Sequence, residues 1–205
     1  MTSGKKLSRP FYLRPTITVA QELLGKRLVR KTGRATLIGK IVEVEAYLGE
    51  KDPASHAYRG LTRRNEVMFQ EGGHLYVYFT YGMHYCCNVV TGKEGTAGAV
   101  LIRAVEPIKG IGAMRKNRAF TTDETDYRIL TNGPAKLCQA FGIGRKENGT
   151  DLRGDALYLT EGEKISSSSI IATTRIGIKN AVEKKWRFYV KGNPFVSKKG
   201  SQTLV

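Results

Sequence analysis

Residues 37–47 constrain the fold more than any other stretch. The run alternates, with Ile38, Val42, Val44 and Ala46 on one face and Glu43, Glu45 and Tyr47 on the other, the period of a strand with one polar face. Two further β-rich runs, 75–81 and 85–90, are split by Gly82. The glycine-rich turn 91–98 then leads into a return strand at 99–105, which predicts an antiparallel hairpin. Residues 157–160, 174–178 and 187–190 are shorter strand candidates.

Helical signals are fewer. Thr18 and Gln21 have capping-box spacing in a helix expected over 18–24 and ended by Gly25. A second helix is expected over 106–118. A third opens at Gly133-Pro134 and stops at Gly142, with proline inside the start and glycine past the end. Residues 119–132 read as a polar loop. Strands dominate, so the class is α+β. At 205 residues without a composition break, one domain over 11–205 is expected, preceded by a flexible basic arm at 1–10.

Charge narrows the partners. Thirty-four Lys and Arg against 18 Asp and Glu give a formal net charge of +16. Such a field favours nucleic acid or an anionic membrane, and phosphate binding would weaken steeply with salt. No apolar run approaches the ~20 residues of a spanning helix, and the first ten residues lack a signal-peptide core, which suggests an intracellular protein with no membrane partner. Cys86, Cys87 and Cys138 fit neither a disulfide framework nor a zinc spacing. With three histidines, a metal site is unsupported.

The polar face of 37–47 carries the chemistry. Glu43 and Glu45 project the same way with roots roughly 6–7 Å apart. A solvated pair is the ordinary outcome for Glu-x-Glu, whereas a partly buried member suits general acid or base work. Tyr47 follows at once, and the loop 49–60 adds His56. Tyr76, Tyr78 and Thr80 share one strand face. Tyr81 has the opposite parity beside Gly82, where a side chain can project from a turn. Arg59, Arg63 and Arg64 cluster after His56, and Gly133-Pro134-Ala135-Lys136 offers an anion seat at a helix start. Arg103, on an apolar return strand, needs a carboxylate if buried, and Glu45 is the candidate.

Seven collinear blocks then stand out: Glu-Val-Glu-Ala-Tyr-Leu-Gly (43–49), Thr-Arg-Arg-Asn (62–65), Leu-Tyr-Val-Tyr-Phe-Thr-Tyr-Gly-Met (75–83), Asn88, Leu-Ile-Arg-Ala-Val-Glu-Pro (101–107), Gly-Pro-Ala-Lys-Leu-Cys-Gln-Ala (133–140) and Arg-Phe-Tyr-Val-Lys-Gly-Asn-Pro (187–194). In this order, over nearly the whole chain, they resemble the alkyladenine (3-methyladenine) DNA glycosylase family. The resemblance implies a single domain with a curved antiparallel sheet flanked by helices. It also implies hydrolysis of the bond between a damaged purine and deoxyribose in duplex DNA, a monomer, and no metal or organic cofactor.

Site roles follow from the same resemblance. Glu45 would activate water, with Arg103 and the Ile176 carbonyl helping to hold it. Tyr47, His56 and Tyr78 would wall a flipped base over Asn88. Tyr81 would wedge into the duplex beside Met83. Arg59, Thr62, Arg63, Arg64, Lys136 and Arg145 would meet the DNA backbone. Without a matching nucleophilic lysine, the expectation is a monofunctional enzyme that leaves an abasic site. His84 and Cys87 depart from the animal pattern, which bears on substrate breadth. Two other readings use the same residues: a non-catalytic nucleic-acid-binding protein, and a carbohydrate hydrolase pairing Glu43 with Glu45.

Overall fold

The computed structural model describes residues 4–33, 35–119 and 126–197. Its frame is an antiparallel sheet of β1 (Arg27–Thr32), β2 (Ala35–Leu48), β3 (His74–Thr80), β4 (His84–Thr91), β5 (Gly98–Lys109), β6 (Thr150–Asp151), β7 (Leu157–Thr160), β8 (Ile170–Thr173) and β9 (Arg187–Val190). The order is β6-β3-β4-β5-β2-β1-β7, with β9 joining β2 to β8, and the sheet curls into a half-barrel. Among the described residues four α-helices accompany it: α1 (Arg9–Tyr12), α2 (Thr16–Leu23), α3 (Ile111–Asn117) and α4 (Pro134–Phe141).

The 14-residue β2 organises everything else. Its first half pairs with β1, Glu43–Glu45 pair with β9, and β5 runs along its other edge. Register shifts between Ile41, Glu43 and Val44 mark a bulge. The bulge breaks the expected alternation: Ile41, Val44 and Ala46 enter the main core, while Val42 packs with Ala104 and Phe195 elsewhere. Both faces of the strand are therefore buried here, and Glu43 and Glu45 have no exposed surface.

Two apolar layers sit on this frame. The main core joins Val19 and Leu23 of α2, Leu137 and Phe141 of α4, and Val44, Val89 and Ile102 of the sheet. A second cluster, with Ala57, Val67 and Met68 from the loop region and Tyr76, Val90 and Ala99 from the strands, lies beneath the 49–73 connection. α4 follows its signals: proline in the first turn, and Gly142 at φ 64°, a left-handed conformation that favours glycine.

Several expectations change. The helix expected at 106–118 is strand as far as Lys109, because Glu106 and Pro107 pair with Lys40 and Gly39; α3 begins only after Gly110 turns at φ 80°. α2 begins at Thr16 behind Pro15, so Thr18 and Gln21 lie within the helix and form no cap. Residues 174–178 are not a strand. The Ile176 N–H goes to the Glu45 carboxylate instead, and the strand precedes the stretch as β8. From Lys5 onward the expected basic arm is docked: Lys5 and Leu7 bond the backbone of β7 and its following residue, and Leu7 is buried. Residues 120–125 of the expected polar loop lie outside the described residues.

Candidate active site

Glu45 is the centre of the arrangement. Its Oε1 accepts the Ile176 backbone N–H at 2.8 Å and lies 3.2 Å from Arg103 Nη1; its Oε2 accepts the Tyr47 hydroxyl at 2.8 Å. A carboxylate offers about four acceptor positions, so three donors leave room for one more. Burial raises the pKa of Tyr47 strongly, and the Glu45 charge adds to this, so the phenol stays protonated and must be the donor. Arg103 is also held protonated: burial disfavours its charge, but Glu45 and Glu43 overcome that and raise its pKa.

Tyr47, Arg103 and Ile176 separate Glu45 from a cavity of about 450 Å³, which they line together with His56, Tyr76, Tyr78, Asn88 and Tyr81. Its size lies within the ~300–1,000 Å³ of small-molecule sites. The walls are aromatic. Tyr76 and Tyr78 stack with centroids 5.6 Å apart, and the His56 ring meets Tyr78 edge-on at 4.5 Å. His56 Nδ1 lies 3.0 Å from the Tyr76 hydroxyl. Burial, followed by the charge of Arg64, lowers the His56 pKa, favouring neutral imidazole. Burial also raises both wall phenols: Tyr76 is pushed up to about 12 against the opposing charge of Arg64, and Tyr78 higher still. The pocket therefore presents uncharged aromatic rings.

Position comes from the strands and their loops. β3 alternation points Tyr76, Tyr78 and Thr80 into the cavity, and Asn88 on β4 pairs with Tyr76, giving its Nδ2 to the Tyr76 carbonyl. Buried Asn65 pins the His56 loop by donating to the carbonyls of His56 and Gly60 and accepting from the Thr62 N–H. At the β3–β4 turn Tyr81 holds φ 51°, uncommon for a non-glycine residue, and is 84% exposed. Its hydroxyl lies 4.0 Å from where a Cβ would stand on Gly177, across the pocket mouth.

Glu43 occupies a different place. It accepts from Arg103 Nε, Arg187 Nε, the Ser197 N–H and the Ser197 hydroxyl, and it does not line the cavity. Neither carboxylate lines the cavity itself; Glu45 contacts three of its lining residues and Glu43 only Arg103, so the two do not face a shared substrate as the carbohydrate-hydrolase reading requires. The backbone-contact candidates divide similarly. Arg64 reaches the pocket, while Arg59, Thr62, Arg63 and Arg145 are exposed away from its lining, as is Met83. Lys136 is half-buried and gives its ammonium to Asn132 Oδ1; burial, then Arg118, lowers its pKa.

Sequence reasoning missed one structural anchor. Asp52 and Arg175, both fully buried, form a two-pronged ion pair, and Arg175 also donates to the Ala46 carbonyl. Its guanidinium lies 4.7 Å from the Tyr47 ring centroid and 5.0 Å from that of Trp186. This holds the residue before Ile176 and so aims the Ile176 N–H at Glu45. The partners are 123 positions apart, and no local pattern marks them. Ile178, Lys179 and Asn180 at the rim were likewise missed. Among the described residues, no cluster of His, Cys, Asp and Glu could hold a metal, and no helix is long and apolar enough to cross a membrane.

An oriented carboxylate thus stands behind an aromatic pocket on a strongly cationic chain. The family model for methylpurine-DNA glycosylase (MPG) matches residues 10–194, and the chain belongs to that family of DNA-repair glycosylases. It is similar to proteins that bear the name "Putative 3-methyladenine DNA glycosylase". That of Carboxydothermus hydrogenoformans is 54% identical, covering 94% of this chain and 99% of its own. That of Clostridium acetobutylicum is 52% identical, with 94% and 97% covered, and that of Prosthecochloris aestuarii is 51% identical, with 94% and 91% covered.

Proposed function

We propose that the protein flips alkylated or deaminated purines out of duplex DNA and hydrolyses their N-glycosidic bond, leaving an intact abasic site. The observation that carries this reading is the placement of buried Glu45 directly behind the aromatic pocket, held by Tyr47, Arg103 and Ile176. In the reaction, water attacks the sugar C1′ and Glu45 takes its proton. The C1′–N bond breaks, and its electron pair leaves with the base. Positive charge develops on the sugar, and the carboxylate stabilises it electrostatically.

The aromatic walls explain the choice of base. A methylated purine cation departs neutral without needing an acid, and it stacks well on the electron-rich rings of Tyr47 and Tyr78. A deaminated purine must gain a proton as it leaves. Asn88 at the floor meets the purine edge and penalises the exocyclic amino group of normal guanine. Tyr81, exposed at a projecting turn, fills the vacated stack, which lowers the cost of extrusion. The Arg59–Arg64 loop, Lys136 and Arg145 meet phosphates, and the enzyme works as a monomer without a cofactor.

The test is to incubate the protein with duplexes carrying one 3-methyladenine, hypoxanthine or ethenoadenine. Strand breaks are read before and after hot alkali, with borohydride present in a parallel sample. Breaks confined to the alkali-treated samples, with no borohydride-trapped adduct, are expected. A trapped adduct would instead implicate an amine such as Lys179 at the rim, and binding without release would make this a lesion-binding protein.

A further inference from the structure

The proposed reaction needs Glu45, held by Arg103, but gives no role to the buried Glu43. A carboxylate with no exposed surface that accepts from two arginines and two Ser197 donors is costly to desolvate, and it is tolerable only because every partner is in place. Its position bears directly on Arg103. That guanidinium gives Nε to Glu43 Oε1 at 3.0 Å and Nη2 to Ser197 Oγ at 3.4 Å, while Nη1 lies 3.2 Å from Glu45 Oε1. The group is planar and rigid, so fixing two of its nitrogens fixes the third.

The remaining members come from distant parts of the chain. Arg187 begins β9, where it pairs with Glu45 in the sheet, and its Nε reaches Glu43 Oε1 at 2.6 Å. Ser197 follows Phe195, whose side chain is buried against Val42 and Ala104 beside the β2 bulge. That packing brings the Ser197 N–H to 2.6 Å from Glu43 Oε2 and its hydroxyl to 2.8 Å from Oε1. The bulge matters here because it turns Val42 off the main core and creates the seat for Phe195.

We propose that Glu43, Arg187 and Ser197 are positioning residues: they clamp the Arg103 guanidinium against Glu45, making the C-terminal segment 195–197 a working part of the active site. The inference rests on the proposed role of Glu45. Neither Glu43 nor Ser197 touches the cavity, so the clamp acts on the chemical step through Arg103 and not on DNA binding.

Glu43→Gln, Ser197→Ala, Arg187→Ala and Arg187→Lys test it, each checked for folding by thermal melting. Two quantities are measured: single-turnover release of methylpurines from dimethyl-sulfate-treated duplex, and affinity for a duplex with a tetrahydrofuran abasic analogue. Misplacement of a reacting group by an ångström costs about a hundredfold. On that scale Glu43→Gln lowers the rate about a hundredfold and Arg187→Ala about tenfold, with affinity within about twofold. Arg187→Lys restores most of the loss, since an ammonium can still donate to Glu43. In a double-mutant cycle, Glu43→Gln adds little once Arg103→Ala is present, because both changes remove one interaction. If Glu43→Gln does not fold, Ser197→Ala and the Arg187 pair carry the test. Folded variants with the wild-type rate, or losses that simply add to that of Arg103→Ala, would overturn the clamp. A wild type that releases no methylpurine would overturn the function itself, and the clamp with it.

Discussion

The Tyr47 hydroxyl donates to Glu45 Oε2 at 2.8 Å while the same ring lines the pocket and lies 4.7 Å from the Arg175 guanidinium carbon. Under the proposed function this side chain has two separable jobs, orienting the carboxylate and stacking on the base. Tyr47→Phe keeps the ring and frees an acceptor position for water, so methylpurine release is expected to stay within about tenfold of wild type, the scale of one hydrogen bond. Tyr47→Ala removes stacking worth about 1–3 kcal/mol per base, and should weaken lesion-duplex affinity roughly 10–100-fold. Fluorescence anisotropy and single-turnover assays on the two variants separate the roles. Equal losses in both would mean the hydroxyl, not the ring, is what matters.

Asp52→Asn should destabilise the fold and slow the reaction together. It leaves the Arg175 charge buried with half its partner gone, and breaking such pairs costs about 3–5 kcal/mol. Urea denaturation measures the first effect. The second arises because Arg175 no longer holds Ile176 in place, and the Glu45 contact from its N–H loosens.

Tyr81→Ala should separate the two effects, slowing the reaction without loss of stability. The side chain is 84% exposed, so thermal stability is expected to be unchanged. Base release from duplex should fall by tenfold or so if the ring offsets a few kcal/mol of unstacking, and release from a single strand, which needs no wedge, should fall much less. Comparing the two substrates reads the wedge directly.

The sequence carried some of this plainly and other parts not at all. That Glu45 and Tyr47 share a strand face, and Tyr76 and Tyr78 another, was legible because strand alternation assigns faces locally, whereas Asn88 came only from the family resemblance; α4 was legible because Pro134 and Gly142 punctuate it. The β2 bulge was not, since nothing in Ile-Val-Glu-Val marks the extra residue that sends Val42 to a separate cluster. Nor were the Asp52–Arg175 and Glu43–Ser197 contacts, which join residues over a hundred positions apart. The 174–178 stretch looked like a strand from its composition, but its Ile176 N–H goes to Glu45 and not to a neighbouring strand.

Acid stability offers a test away from the pocket. Hydrogen bonds from the Arg153 side chain, against the opposing effect of burial and with help from its backbone and from the Arg9 charge, hold Asp151 down to about 2 from an ordinary 3.8. Because the folded value is depressed, the contribution is present above the unfolded value and is lost as pH falls from 3.8 toward about 2. Asp151→Asn should therefore lower stability at neutral pH and flatten its fall across that window. Urea midpoints at several pH values measure both.

Glu45→Gln tests the role of this carboxylate through single-turnover release of methylpurines from dimethyl-sulfate-treated duplex by wild type and variant. Glutamine nearly preserves shape but cannot take a proton from water, and general-base catalysis contributes about 10²–10⁴-fold. A loss in that range is expected, with affinity for the abasic-analogue duplex retained. Release by a folded Glu45→Gln protein at close to the wild-type rate would contradict that role.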